Sequence, residues 1–267
     1  MANVVVLGGG LGGVVAANRL RKLLPREHRV TIVDREPLVS FPPAFLRVLD
    51  GRREPKAITR DLRRLRRRGI EVTVASVSAL DTEAGTVLTD AGDLSYDYLV
   101  VALGASLAPE AAPGFDAAAH SFYTLEGSVA ARDALRTFDG GTLAIAVASL
   151  PYKCPAAPYE AALIADAVLR RRGVRDRSTV RLSVPEAAPM PVAGPLVGER
   201  VQELLRERDI EYRPLSPLVS VDAAAGDAGA GELVFEGGER AGYDLLLAVP
   251  PHAPPAPLQG TPIVNEA

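Results

Sequence analysis

The six residues Gly8-Gly9-Gly10-Leu11-Gly12-Gly13 constrain this chain more than any others, because of what stands on either side of them. Before them, Val4-Val5-Val6-Leu7 is a short β-branched run of the kind buried on both faces of a parallel sheet. After them, apolar and small residues from Val14 to Leu24 have helical spacing, and Pro25 marks the exit. Arg29-Val30-Thr31-Ile32-Val33-Asp34 is a second apolar run, ending in an acid. One βαβ unit is therefore complete within about 30 residues. Gly8, Gly10 and Gly13 fit the pattern G-x-G-x-x-G. Gly8 permits the tight turn, Gly10 lets backbone amides approach a pyrophosphate, and Gly13 lets the helix pack closely on the strand. The helix start turns unpaired N–H groups and a positive dipole end toward that phosphate. Asp34, 21 residues after Gly13, is placed to accept hydrogen bonds from a ribose 2′-hydroxyl. A carboxylate there repels a 2′-phosphate and disfavours NADP. The spacing alone does not separate FAD from NAD.

The rest of the chain reads as a second copy of the same plan. Ile58 to Arg68 has helical spacing, Ile70 to Ser76 reads as a strand, and residues 77 to 95 read as a small antiparallel excursion. Tyr98-Leu99-Val100-Val101-Ala102 is a buried strand that Gly104 terminates. Beyond it come a strand at Thr142–Val147, a helix from Pro158 to Arg172, a strand at Val180–Val184 and a helix from Pro195 to Arg208. Two hairpin-like strands surround Val219 and Val234, and Tyr243–Ala248 closes the copy. The closing strands lie 147 residues apart (Tyr96 to Tyr243) and the opening ones 139 (Val4 to Leu143), which argues for two similar domains in series. The fold class expected is α/β, with two Rossmann-like domains of parallel sheets and small antiparallel excursions. The boundaries expected are 1–110 for the first domain, 111–250 for the second and 251–267 for a proline-rich exit.

A net charge of −3 and a pI near 5.7 point away from nucleic acid and from anionic membrane surfaces. No apolar run reaches the roughly 18 residues of a spanning helix. A single cysteine cannot form an internal disulfide, and Met1-Ala2-Asn3 leads straight into a strand, so a cytoplasmic setting is expected. His28, His120 and His252 lack metal-ligand spacing, and no metal is expected. The arginine-rich stretch from Arg52 to Arg68 reads as a solvated face with Leu62 and Leu65 turned inward.

The turn after the second opening strand departs from the first. Ala148-Ser149-Leu150-Pro151-Tyr152-Lys153-Cys154-Pro155-Ala156-Ala157-Pro158-Tyr159-Glu160 contains no glycine. Its prolines fix φ and remove amide donors, so the backbone is unsuited to cradling a pyrophosphate. A cysteine stands where phosphates would lie. The order of the first half, with Ala102-Leu103-Gly104-Ala105 closing it, resembles disulfide-reductase-like flavoproteins with two dinucleotide domains. Pro-Tyr-Lys-Cys-Pro-x-x-Pro-Tyr-Glu resembles, more narrowly, the sulfide:quinone oxidoreductases and the flavoprotein subunit of flavocytochrome c sulfide dehydrogenases. So do Phe41-Pro42-Pro43, Lys56–Leu62 and Pro189–Pro195.

That resemblance implies an FAD-dependent oxidoreductase taking a small sulfur compound as substrate and a quinone or cytochrome as acceptor. It implies FAD contacts at Gly8, Gly10, Leu11, Gly13, Asp34, Arg35, Pro42, Ala102 and Gly104. It makes Cys154 a redox cysteine facing the flavin, and Glu160 a carboxylate for proton transfer. A helix start beside Cys154, with Lys153 adjacent, would lower the thiol from its usual value of about 8.5, and partial burial would raise Glu160. The family also uses a second cysteine and a C-terminal return to the FAD domain, which this chain does not match. The expectation is a fragment or a truncated product with an uncovered sheet edge, peripheral at most on the inner face of the cell membrane, and poorly competent for full turnover. Alternatives are an NADH:quinone or ferredoxin-type flavin reductase, and a truncated non-catalytic flavin-binding protein.

Overall fold

The computed structural model describes residues 1–223 and 229–264. They form two compact units. The first comprises Met1–Phe41, Lys56–Ser106 and Ala253–Ala267, and the second Pro42–Pro55 and Leu107–His252.

In the first unit, β1 (Asn3–Leu7) is the sheet's inner strand because Val4, Val5, Val6 and Leu7 are buried on both faces. It pairs in parallel with β2 (Arg29–Asp34) and β9 (Tyr98–Val101), and β2 pairs with β5 (Glu71–Val74). The order is β5-β2-β1-β9. Alternate residues of β1 feed opposite cores, Val4 and Val6 toward α1 (Leu11–Leu23), Val5 and Leu7 toward Val33, Ala75 and Val87. Val87 belongs to the antiparallel sheet of β6 (Val77–Asp81), β7 (Thr86–Thr89) and β8 (Leu94–Ser95). The 3₁₀ turn Ala256–Leu258 lies beside β6.

The helix expected over Ile58–Arg68 is instead β4 (Thr59–Asp61), paired antiparallel with β3 (Leu38–Ser40), followed by a 3₁₀ helix, Leu62–Arg68. Asp61 caps that helix by accepting from Arg63 N, and Gly69, at φ +78°, ends it. Five arginines in seven residues place like charges three and four apart, which disfavours a longer α-helix. The closing run at Tyr98–Ala102 is not buried throughout. As an edge strand, β9 leaves Tyr98 65% and Val101 39% exposed.

The second unit repeats the parallel sheet. Its order is β13 (Ile210–Arg213), β12 (Ser178–Ser183), β11 (Gly141–Val147), β17 (Leu245–Val249). On one face pack α2 (Phe45–Leu49), α4 (Leu125–Thr137), α5 (Ala157–Arg172) and α6 (Pro195–Glu207). On the other lie α3 (Phe115–Ala118) and the antiparallel β14 (Leu218–Ala223), β15 (Gly231–Phe235) and β16 (Arg240–Tyr243). Here the closing strand is buried at all five positions, and His120 bridges its outer edge, donating to Leu246 O and accepting from Ala248 N. A buried ion pair, Asp166 to Arg175 at 2.7 Å, ties α5 to the turn before β12. Among the described residues, no helix is long and apolar enough to cross a membrane.

Candidate functional site

The glycine turn of the first unit closes at the carboxyl end of β1. Gly8 sits at φ +99° and donates to Val33 O at 2.8 Å. A Cβ there would stand 2.3 Å from Ala102 O, and one at Gly13 would stand 1.8 Å from Gly8 O. Both glycines are thus imposed by backbone approach, which brings α1 down onto the sheet. Gly10, the N-cap of α1, is different: a Cβ would meet nothing within 4 Å, so space is open there. No acidic side chain occupies the first turn of α1, and Leu11 and Gly12 are exposed.

Asp34 ends β2 half-buried. Its Oδ2 accepts from Gly9 N at 2.5 Å and its Oδ1 from Glu36 N at 2.9 Å. The carboxylate therefore braces the glycine turn, and each oxygen retains a further acceptor site. Arg35 is exposed next to it. Ala102 extends β9 by donating to Leu7 O at 2.8 Å, and Gly104, at φ +73°, is exposed with open space over its Cβ position. Gly8, Gly10, Gly13, Asp34 and Ala102 thus gather where β1, β2 and β9 end. Pro42 belongs to the second unit, where it opens a 3₁₀ turn, Pro42–Ala44.

These features fit a bound dinucleotide. An open cradle at Gly10, helix-start amides free of side-chain competition, and an acid at the end of β2 are the chemistry a diphosphate and ribose require.

The turn of the second unit runs otherwise. Ala148 N donates to Val249 O at 3.0 Å, so bonding to β17 carries on one residue beyond β11, at the point where Gly8 turns back to β2. Cys154 is exposed, with φ +55°. Its carbonyl accepts from Ala157 N at 3.0 Å, just where α5 begins. Tyr123 Oη donates to Lys153 O at 2.6 Å and to Cys154 O at 3.2 Å. Burial pushes the Lys153 ammonium below its ordinary value. The Tyr123 phenol is pushed far up, by burial first and then by the charges at Cys154 and Glu186. Glu160 lies in the first turn of α5, but it is exposed rather than partly buried as expected. The backbone explains this, since its neighbours Pro158 and Tyr159 take the buried face of that turn.

Sequence reading missed three residues of this region: Tyr123, the buried Glu186, and the role of Tyr152, whose hydroxyl donates to Glu186 Oε1. The available signal for Glu186 was an acid just past the second strand of its domain, by analogy with Asp34. Among the described residues no group of three or more His, Cys, Asp or Glu is placed to hold a metal ion.

Two parallel α/β sheets, the first opened by a dinucleotide-type glycine turn, define the class of dinucleotide-binding α/β proteins. The family model described as pyridine nucleotide-disulphide oxidoreductase matches residues 2–249, and the chain belongs to that family. FAD is the cofactor of this group. Several relatives carry names for sulfide and quinone, and one, from Arabidopsis thaliana, is an alternative NAD(P)H-ubiquinone oxidoreductase 29% identical over 212 residues, covering 70% of this chain and 40% of that protein. The mitochondrial sulfide:quinone oxidoreductase of Mus musculus is 26% identical over 281 residues, covering 99% of this chain and 60% of that protein. The sulfide-quinone reductase of Aquifex aeolicus is 31% identical over 216 residues, covering 79% of this chain and 50% of that protein. The solved structure of the sulfide:quinone oxidoreductase from Aquifex aeolicus superimposes with a TM-score of 0.85 at 25% identity, covering 97% of this chain and 60% of that one. The chain therefore spans 50 to 60% of the length of these relatives.

Proposed function

We propose that this chain carries the FAD-binding and thiol-bearing parts of an oxidoreductase that draws electrons from sulfide or a related sulfur compound. The acceptor is a quinone or a cytochrome. The observation that carries this reading is the asymmetry of the two turns: a glycine cradle in one, an exposed cysteine in the other. Relatives named for sulfide and quinone support it. We assign the FAD part to residues 1–110 and the thiol part to 111–250, with 251–267 as an exit. A peripheral position on the inner face of the cell membrane goes with a quinone acceptor.

In this reading the amides at Gly10 and Leu11 face the diphosphate, with Gly8 and Gly13 holding the helix start in place. Asp34 binds the ribose, and Arg35, Ala102 and Gly104 line the remainder. When bound, FAD supplies a two-electron acceptor. Cys154 is the sulfur nucleophile, reached from solvent and anchored by its own carbonyl. Glu160, exposed in the first turn of α5 six residues on, exchanges protons with the arriving sulfide.

The test is reconstitution with FAD followed by anaerobic addition of sulfide. Bleaching of the bound FAD that disappears in Cys154→Ala supports the reading. Failure to take up FAD sinks it, and so does bleaching by NADH but not by sulfide, which is the behaviour of an NADH-dependent flavin reductase.

A further inference from the structure

In an open parallel α/β sheet, ligands enter the crevice beyond the carboxyl ends of the strands. In the second unit that region is filled by the chain's own side chains. Tyr152, from the turn after β11, donates to Glu186 Oε1, from the turn after β12. Tyr159, in the first turn of α5, and Tyr212, of β13, stand beside them with ring centroids 6.2 Å apart. Glu186 is only 6% exposed, and its Oε2 makes no hydrogen bond with the protein. The Glu186 charge bears on the phenols of Tyr123, Tyr152, Tyr159 and Tyr212, each raised by burial first.

A carboxylate buried to this degree is costly unless a donor meets it. Tyr152 is that donor. The same bond fixes position 152, two residues before Cys154. A second tie, from Tyr123 to the carbonyls of Lys153 and Cys154, fixes the other side. Cys154 itself is left-handed, at φ +55°, a conformation disfavoured for a non-glycine residue, so the turn is held in place from outside.

We propose that Tyr152 and Glu186 form a latch: positioning residues that hold the Cys154 turn across the end of the second sheet, with the Tyr152 side chain in the crevice. They do not react. They decide that this half of the molecule presents a thiol. The functional sense of the latch rests on the proposed redox role of Cys154; its geometry does not.

The test is amide hydrogen exchange of the FAD-reconstituted chain, read over residues 148–156 against peptides from β11 and α5. Tyr152→Phe keeps the ring and removes the donor. Glu186→Leu removes the acceptor, and Glu186→Gln keeps an acceptor oxygen. The latch predicts that Tyr152→Phe and Glu186→Leu each speed exchange at 148–156 by about ten-fold, with β11 and α5 unchanged. Glu186→Gln should stay within about two-fold of the parent, and the double variant Tyr152→Phe/Glu186→Leu should exceed neither single one. Unchanged exchange in Tyr152→Phe overturns the proposal. So does equal loss in Glu186→Gln and Glu186→Leu, or a rise spread over the whole unit. Sulfide bleaching is followed in the same samples. If the parent shows no bleaching but the exchange pattern holds, the redox reading of Cys154 fails and the latch stands.

Discussion

Leu7 and Val147 hold the same place in their sheets, each paired with the closing strand, at Val101 and Val249 respectively. One residue later the chain goes two ways. Gly8, left-handed, turns toward β2 and bonds to Val33 O, and α1 starts at Leu11. Ala148 instead bonds to Val249 O of β17, and α5 starts only at Ala157. One glycine thus separates a short turn with open helix-start amides from a long turn that carries side-chain chemistry. The comparison shows that these two sites differ by backbone permission before they differ by functional groups.

The largest effect expected of any change that probes this contrast comes from the scaffold of the second half. Asp166→Asn removes the counter-charge of buried Arg175, which keeps its bonds to the carbonyls of Ser178, Arg208 and Asp209, and should destabilise by about 3–5 kcal/mol, read from denaturant unfolding. If the unfolding midpoint does not move, the ion pair is not what anchors α5. Next is Gly13→Ala, which drives a Cβ against Gly8 O. It should cost about 3 kcal/mol or more and abolish retained FAD, measured as flavin per protein after gel filtration. Ala148→Gly, at the corresponding point of the other turn, should cost no more than about 1 kcal/mol. Comparable losses from the two would break the comparison. Asp34→Ala removes both a ligand acceptor and the brace on Gly9, and should weaken FAD binding by about 10- to 100-fold in a fluorescence titration.

The smallest effect concerns pH. Burial lowers the folded values of His120 and His252, both in the second unit. Their unfolded imidazoles bind protons first as pH falls through about 6.5, so acidification favours the unfolded state. Thermal midpoints should fall on going from neutral to mildly acidic buffer, and His120→Gln should flatten the slope. A midpoint that rises in that interval would count against it.

How far the sequence could be read follows the same contrast. The first junction was legible because its constraints are local: glycine spacing, a strand on each side, and an acid at a fixed distance. The arginine stretch was misread because hydrophobic spacing at Leu62 and Leu65 suits a helix, while pairing of Thr59–Asp61 with β3 starts the helical segment only at Leu62 and Gly69 stops it after seven residues. Helix α4, capped by Thr124 at Gly127 N, was not assigned at all, since glycine and polar residues dilute its first turn. The partnership of Tyr152 with Glu186 spans 34 residues and has no signature along the chain; tertiary packing alone creates it.

The edge strand β9 has one further consequence. Among the described residues β9 is hydrogen-bonded to β1 alone, whereas His120 guards the flank of β17. A lateral row of peptide groups flanked by an exposed tyrosine and valine is adhesive toward any extended polypeptide. Preparations of this chain should therefore turn turbid as concentration rises, with clumping that a lysine in place of Val101 suppresses, so that solubility becomes a direct gauge of how well that flank is covered.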